Sequence, residues 1–150
     1  VSKQAPGFTL KMSKSGVPSF GYSGTPLVKK LGIKPDARIQ FVSAPKNFAA
    51  LVGPPPDGVR VQRDGTLDFA IVFVKQLDDL MKQFPVLRDR LETNGMLWVA
   101  WPKRTSGVTT DLNEAVVRDY GLRAGLVDVK ICAIDDTWSG LKFVRRLKDR

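Results

Sequence analysis

The sequence predicts a three-layer α/β fold: a mainly parallel sheet with helices on both faces and a C-terminal antiparallel hairpin. Three observations carry that prediction. LDFAIVFV (67–74) and GMLWVAW (95–101) are nearly continuous apolar runs rich in β-branched and aromatic residues, the mark of strands covered on both faces. Between them, QLDDLMKQFPVLRDRLE places apolar residues at 77, 80, 84, 87 and 91, a helical spacing that makes a crossover and hence parallel strands. The chain then closes with two strand patterns joined at DDTWSG, whose Asp pair and Gly140 suit a connection between antiparallel partners.

Each element follows from local signals. Residues 1–20 are rich in Ser, Lys, Gly and Pro without sustained periodicity and read as a flexible arm, leaving 21–150 as one domain. In SGTPLVKKLGIKP, Thr25 is a candidate N-cap, Pro26 suits the first helical position and Gly32 stops a short helix. ARIQFVSA (37–44) is the first strand. KNFAALVG is a short helix ended by prolines 54 to 56, and GVRVQ alternates as an edge strand. LDFAIVFV is central; the helix after it carries Pro85, a kink or a break into two helices. After GMLWVAW, a helix starts at Thr110 or Asp111, with Glu114 placed for a capping box, and runs to about Ala124. Strands in LVDVKICAIDDTWSGLKFVRRL complete the sheet.

Composition narrows the chemistry. With 150 residues, 43% of them hydrophobic, the chain can bury about two-thirds of its unfolded surface in one core. No apolar run approaches the roughly 20 residues of a membrane span and the N-terminal stretch has no signal-peptide core, so a cytoplasmic protein without membrane contact is expected. The sequence has no histidine, which removes Ser-His-Asp triads, Cys-His pairs and His-ligated metals. The single cysteine, Cys132, sits in an apolar strand pattern and reads as a buried, inert thiol. The net charge of +9 is concentrated at the ends: residues 1–21 hold three lysines and no acid, and residues 142–150 hold five cations and one acid. The body between them is nearly neutral, so the charge argues only weakly for a nucleic-acid partner.

The strand order is the layout of the Rossmann-like fold of S-adenosylmethionine-dependent methyltransferases, shortened between the second and third strands. Two kinds of resemblance accompany it. GYSGTPLVKKLGIKP, LWVAWPK and LVDVKICAIDDTWSGLKFVRR together resemble an uncharacterised bacterial family, a domain of unknown function, over about residues 21–147; this implies no established activity. LGIKPDARIQFV is similar to the lead-in to the first methyltransferase strand, and LETNGMLWVAWPK to the strand after their L-x-P-G-G type turn. That second resemblance implies a glycine-rich cofactor loop after the first strand, whereas SAPKNF (43–48) has no glycine. It also implies an acid near the end of the next strand, for which Asp64 is the nearby candidate, and Asp68 is kept at the start of the central strand.

Ligands of open parallel sheets bind outside the carboxyl ends of the strands. That rule gathers Ser43, Pro45 and Lys46, then Lys75, then Trp101, Lys103, Arg104, Thr105 and Ser106. A helix opening near Thr110 would add free amides for a phosphate or carboxylate, and Trp101, odd-spaced from a core Trp98, is the more available indole. The alternative is a solvated KRTSG loop. A second candidate is Asp135, Asp136 and Trp138, which the turn itself also explains; GYSGT resembles a phosphate loop without the Walker spacing. No metal site and no cofactor are expected. The leading reading is a non-catalytic module on a degenerate methyltransferase-like fold that binds a small anion or a protein partner. An atypical S-adenosylmethionine-dependent methyltransferase using Ser43, Asp64 and Lys75, and a nonspecific nucleic-acid-binding module, are the alternatives.

Overall fold

The computed structural model describes residues 25–150. The arm expected over 1–20 and residues 21–24 of the glycine loop lie outside the described residues. In chain order the elements are α1 (Leu27–Leu31), β1 (Arg38–Val42), α2 (Phe48–Val52), β2 (Arg60–Val61), β3 (Leu67–Phe73), α3 (Leu77–Arg90), β4 (Leu91–Pro102), α4 (Glu114–Arg123), β5 (Leu126–Ala133) and β6 (Trp138–Arg145). The strands form one sheet in the order β2-β1-β3-β4-β6-β5. The first four in that order are mutually parallel, and β6 runs antiparallel to both β4 and β5.

Alternation along the central strands divides the core in two. Phe69, Ile71 and Phe73 of β3, with Trp98 and Ala100 of β4, pack on the face that α1 and α2 cover. Ala70, Val72 and Val74, with Leu97, Val99 and Trp101, face α3 and α4. Residues 69–74 are at most 5% exposed, which is why this segment reads as one unbroken apolar run. Gly32 takes the left-handed conformation (φ 86°) that ends α1, and the Trp98 indole Nε1–H donates to the free carbonyl of Leu31 at 2.9 Å. On β6, Gly140 leaves room for Trp98: a Cβ there would meet the indole edge at 3.0 Å.

Several boundaries differ from expectation for physical reasons. Thr25 is not the cap of α1; Pro26 holds that position, with no side-chain cap bond. α3 is a single 14-residue helix with Pro85 inside it, the forfeited bond falling to the carbonyl of exposed Met81. α4 begins at Glu114, capped by Asn113, whose Oδ1 accepts from the Val116 N–H at 2.9 Å. Asp111 serves α3 instead, accepting from the Leu77 N–H at 2.8 Å, and the Thr110 hydroxyl donates to the Lys75 carbonyl. The passage from β2 to β3 is residues 62–66, tied down by Arg90, which donates to the Gly65 carbonyl at 2.9 Å and to Gln40 Oε1 at 2.7 Å. Among the described residues no helix is long and apolar enough to cross a membrane.

Candidate functional site

The chain leaves β1 through α2 towards β2 on one side and later leaves β3 through α3 towards β4 on the other. The two carboxyl ends therefore diverge, and the topological switch point between them is where a crevice must open. A cleft of about 470 Å³ lies there. Ser43 and Pro45 line it from β1, Phe73, Val74 and Lys75 from β3, Asp79 and Gln83 from α3, and Trp138 from the start of β6.

Ser43 shapes the cleft. Its φ of 58° is in the left-handed region that glycine ordinarily fills, so the chain turns sharply away from β1 without a glycine. The aromatic wall is pre-packed: Phe73 meets Trp138 edge to face at 5.1 Å and Phe48 at 4.9 Å between ring centroids. Lys75, Asp79 and Gln83 bring an ammonium, a carboxylate and an amide to the opposite side, the last two one helical turn apart.

The structure brings Ser43, Pro45, Lys75 and Trp138 to one cleft, which the other candidates do not line. Lys46 is exposed, just beyond Pro45, and does not line the cleft. Trp101 is only 5% exposed: contrary to expectation, its side of β4 is the core beneath α3 and α4, closed over by Leu112 and Val117. The Lys103 N–H donates to the Thr137 carbonyl at 2.7 Å, and Arg104–Ser106 form a single 3-10 turn in which the Ser106 hydroxyl donates to the Lys103 carbonyl at 2.7 Å. Arg104 and Thr105 point to solvent, and Thr110 is engaged with Lys75. The amides expected near Thr110 are absent because α4 starts later and Asn113 occupies its N-terminus. Asp135 Oδ1 accepts from the Thr137 and Trp138 N–H groups, both at 2.8 Å, which is turn chemistry, while Asp136 is exposed. Asp64 sits exposed in the 62–66 passage and does not line the cleft.

Asp68 belongs to the opposite edge of the sheet. It takes two side-chain bonds from Arg38 (2.8 and 2.9 Å) and the Arg38 N–H at 2.8 Å, and Arg38 also reaches Glu92 at 3.3 Å. The bonds from Arg38 hold the Asp68 carboxyl below its usual range. Asp79 and Gln83 went unnoticed in the sequence; the signal available was their position on the first two turns of the helix that follows the central strand.

This sheet order, with its switch point and its antiparallel strand between β4 and β5, is the Rossmann-like fold of the S-adenosylmethionine-dependent methyltransferases. Solved structures share it. A SAM-dependent methyltransferase from Aquifex aeolicus is similar over 87% of this chain and 95% of its own, with a TM-score of 0.57 and 14% identity. Fibrillarin from Aeropyrum pernix, with natively bound S-adenosyl-L-methionine, is similar over 83% and 71% (TM-score 0.52, 15% identity). Magnesium protoporphyrin IX methyltransferase from Synechocystis PCC 6803, with bound SAH, is similar over 80% and 78% (TM-score 0.51, 11% identity). No family model and no curated protein matches the chain.

At these identities the likeness establishes the fold, and it corrects two expectations. Two of these structures are methyltransferases and fibrillarin carries the methyl donor, which favours the catalytic alternative over a non-catalytic anion-binding or protein-interaction module. It also favours S-adenosylmethionine over the absence of a cofactor. The cleft fits such a ligand in size, within the roughly 300–1,000 Å³ of small-molecule sites. It fits in chemistry as well, since Lys75, Asp79 and Gln83 answer a carboxylate, a cation and hydroxyls.

Proposed function

We propose that this protein is an atypical S-adenosylmethionine-dependent methyltransferase whose cofactor is held in the cleft between the carboxyl ends of β1 and β3. The observation that carries the reading is Ser43: the residue after β1 keeps the left-handed turn that opens the switch point, although the loop has lost its glycines. The cofactor supplies an electrophilic methyl group when bound. Lys75 pairs with the amino-acid carboxylate, Asp79 faces the cationic part, Gln83 bonds the ribose hydroxyls, and the Phe73–Trp138 wall excludes water from one side. An acid after β2 would otherwise bond the ribose hydroxyls; because β2 ends after two residues and Asp64 lies off the site, Gln83 takes that part. We place the protein in the cytoplasm, where Cys132 stays reduced.

Thermal unfolding at fixed moderate salt, with S-adenosylmethionine and S-adenosylhomocysteine titrated in, tests this. Either ligand at about 100 times its Kd should add roughly 2.7 kcal/mol of stability. Asp79→Asn and Lys75→Ala should reduce the shift, and Lys103→Ala and Arg104→Ala should preserve it. No saturable shift with either compound would overturn the proposal.

A further inference from the structure

Four lysines from three parts of the chain converge on the α1 side of the sheet. Lys30 is in the last turn of α1, Lys34 follows in the loop to β1, Lys130 is on β5 and Lys142 is on β6. Lys130 and Lys142 stand directly opposite each other in the β5–β6 register, an arrangement of like charges that destabilises a sheet. The Lys130 ammonium donates to the Lys30 carbonyl at 3.0 Å, and the Lys30 ammonium lies 3.5 Å from the Ala133 carbonyl, so both lean into the same space. The Lys142 Nζ is held over Gly32, 3.7 Å from where a Cβ would stand. Its half-buried setting, with Lys130 and Lys34 beside it, pushes the Lys142 ammonium below the usual lysine range.

Among the described residues no carboxylate forms an ion pair with any of these four lysines. Every ion pair among the described residues is made by an arginine: Arg38, Arg88, Arg118 or Arg123. A cross-strand like-charge pair and a half-buried ammonium without a counter-ion both cost stability, and all they return to the fold is two ammonium–carbonyl contacts between the end of α1 and β5. A bound polyanion would supply the missing negative charge. We infer that Lys30, Lys34, Lys130 and Lys142 form a docking surface for the phosphate backbone of a single-stranded nucleic acid.

Two further features favour that partner. Of the two exposed apolar residues that flank Lys130, Ile131 is opposite Leu141 and so points to the α4 face, while Val129 falls in the bulge between Asp128 and Lys130, so the lysines have at most one apolar neighbour to offer a bilayer. Trp138 and Lys142 share one face of β6, four residues and so about 13 Å apart, so a strand lying across the lysines runs up to the wall of the cleft. The docking surface stands independently of what the cleft binds.

Fluorescence anisotropy of a labelled 20-nucleotide single-stranded RNA, measured over a series of salt concentrations, tests the inference. Lys130→Gln with Lys142→Gln should weaken binding at least tenfold at about 0.1 M salt and flatten the log–log salt slope by about 1.4, two phosphates' worth of counter-ion release. Removing the same charge elsewhere, as Lys82→Gln with Lys148→Gln, should change affinity less than twofold. The first double variant trades the bond to the Lys30 carbonyl for relief of repulsion and should melt within a few degrees of wild type, which shows it is folded. Equal weakening by both double variants, no binding of RNA by wild type, or binding of phosphatidylserine vesicles in preference to RNA would each overturn the proposal. Titration with S-adenosylhomocysteine should be unaffected by Lys130→Gln with Lys142→Gln, which separates failure here from failure of the cleft.

Discussion

A left-handed backbone costs a serine about 1 kcal/mol that a glycine would not lose, and Ser43 meets that cost at the position where the chain leaves β1. Ser43→Gly relieves the strain but adds freedom to the unfolded chain, so stability in urea should stay equal or rise by up to about 1 kcal/mol. Ser43→Val, β-branched in the same conformation, should lose about 1–2 kcal/mol. The cleft was legible at this scale only in part. Ser43 and Lys75 follow from the carboxyl-edge rule, yet nothing in SAPKNF betrays a positive φ, because serine is not among the residues that favour the left-handed region. Trp101 misled for a related reason: alternation places it opposite Trp98, but only the packed positions of Leu112 and α4 make that side a core as well.

Among the elements, α3 and α4 share their termini. Asp111, three residues before α4, occupies the first amide of α3, and Asn113 caps α4 itself. Asn113→Ala should therefore cost about 1 kcal/mol in chemical denaturation, and Asp111→Ala a comparable amount, while far-ultraviolet circular dichroism keeps its helical content. The segment TTDLNE shows why the start of α4 was misjudged. It contains four residues able to cap, Thr109, Thr110, Asp111 and Asn113, and the local pattern cannot show that Asp111 is already committed to a helix 34 residues earlier in the chain. Long periodic elements were legible by contrast: β3, β4 and α3 follow from runs and spacings that no distant contact needs to supply. Pro85 remains inside one helix because the carbonyl it orphans lies on the exposed side.

At the scale of the whole molecule, Arg38, Asp68 and Glu92 clamp three parallel strands together at the edge of the sheet opposite the cleft. Because the Asp68 carboxyl titrates below its ordinary value near 3.8, the clamp's contribution is fully present above about pH 4 and is lost as the pH falls through the lowered folded value. Unfolding followed by fluorescence should show stability dropping on acidification below about pH 4, and Asp68→Asn should flatten that drop. The architecture was readable because strand and helix patterns alternate and the last two strands pair as a hairpin. The fate of the 62–66 passage was not, since Arg90 and Gln40 that fix it lie far from it in sequence. The place of β6 between β4 and β5 bears on how the protein is made. A ribosome delivers β5 first, and until β6 has emerged neither β4 nor β5 has a neighbour on its inner edge. Synthesis therefore passes through an interval in which two strand edges are open to other chains, and the half-finished sheet closes from its last-made strand.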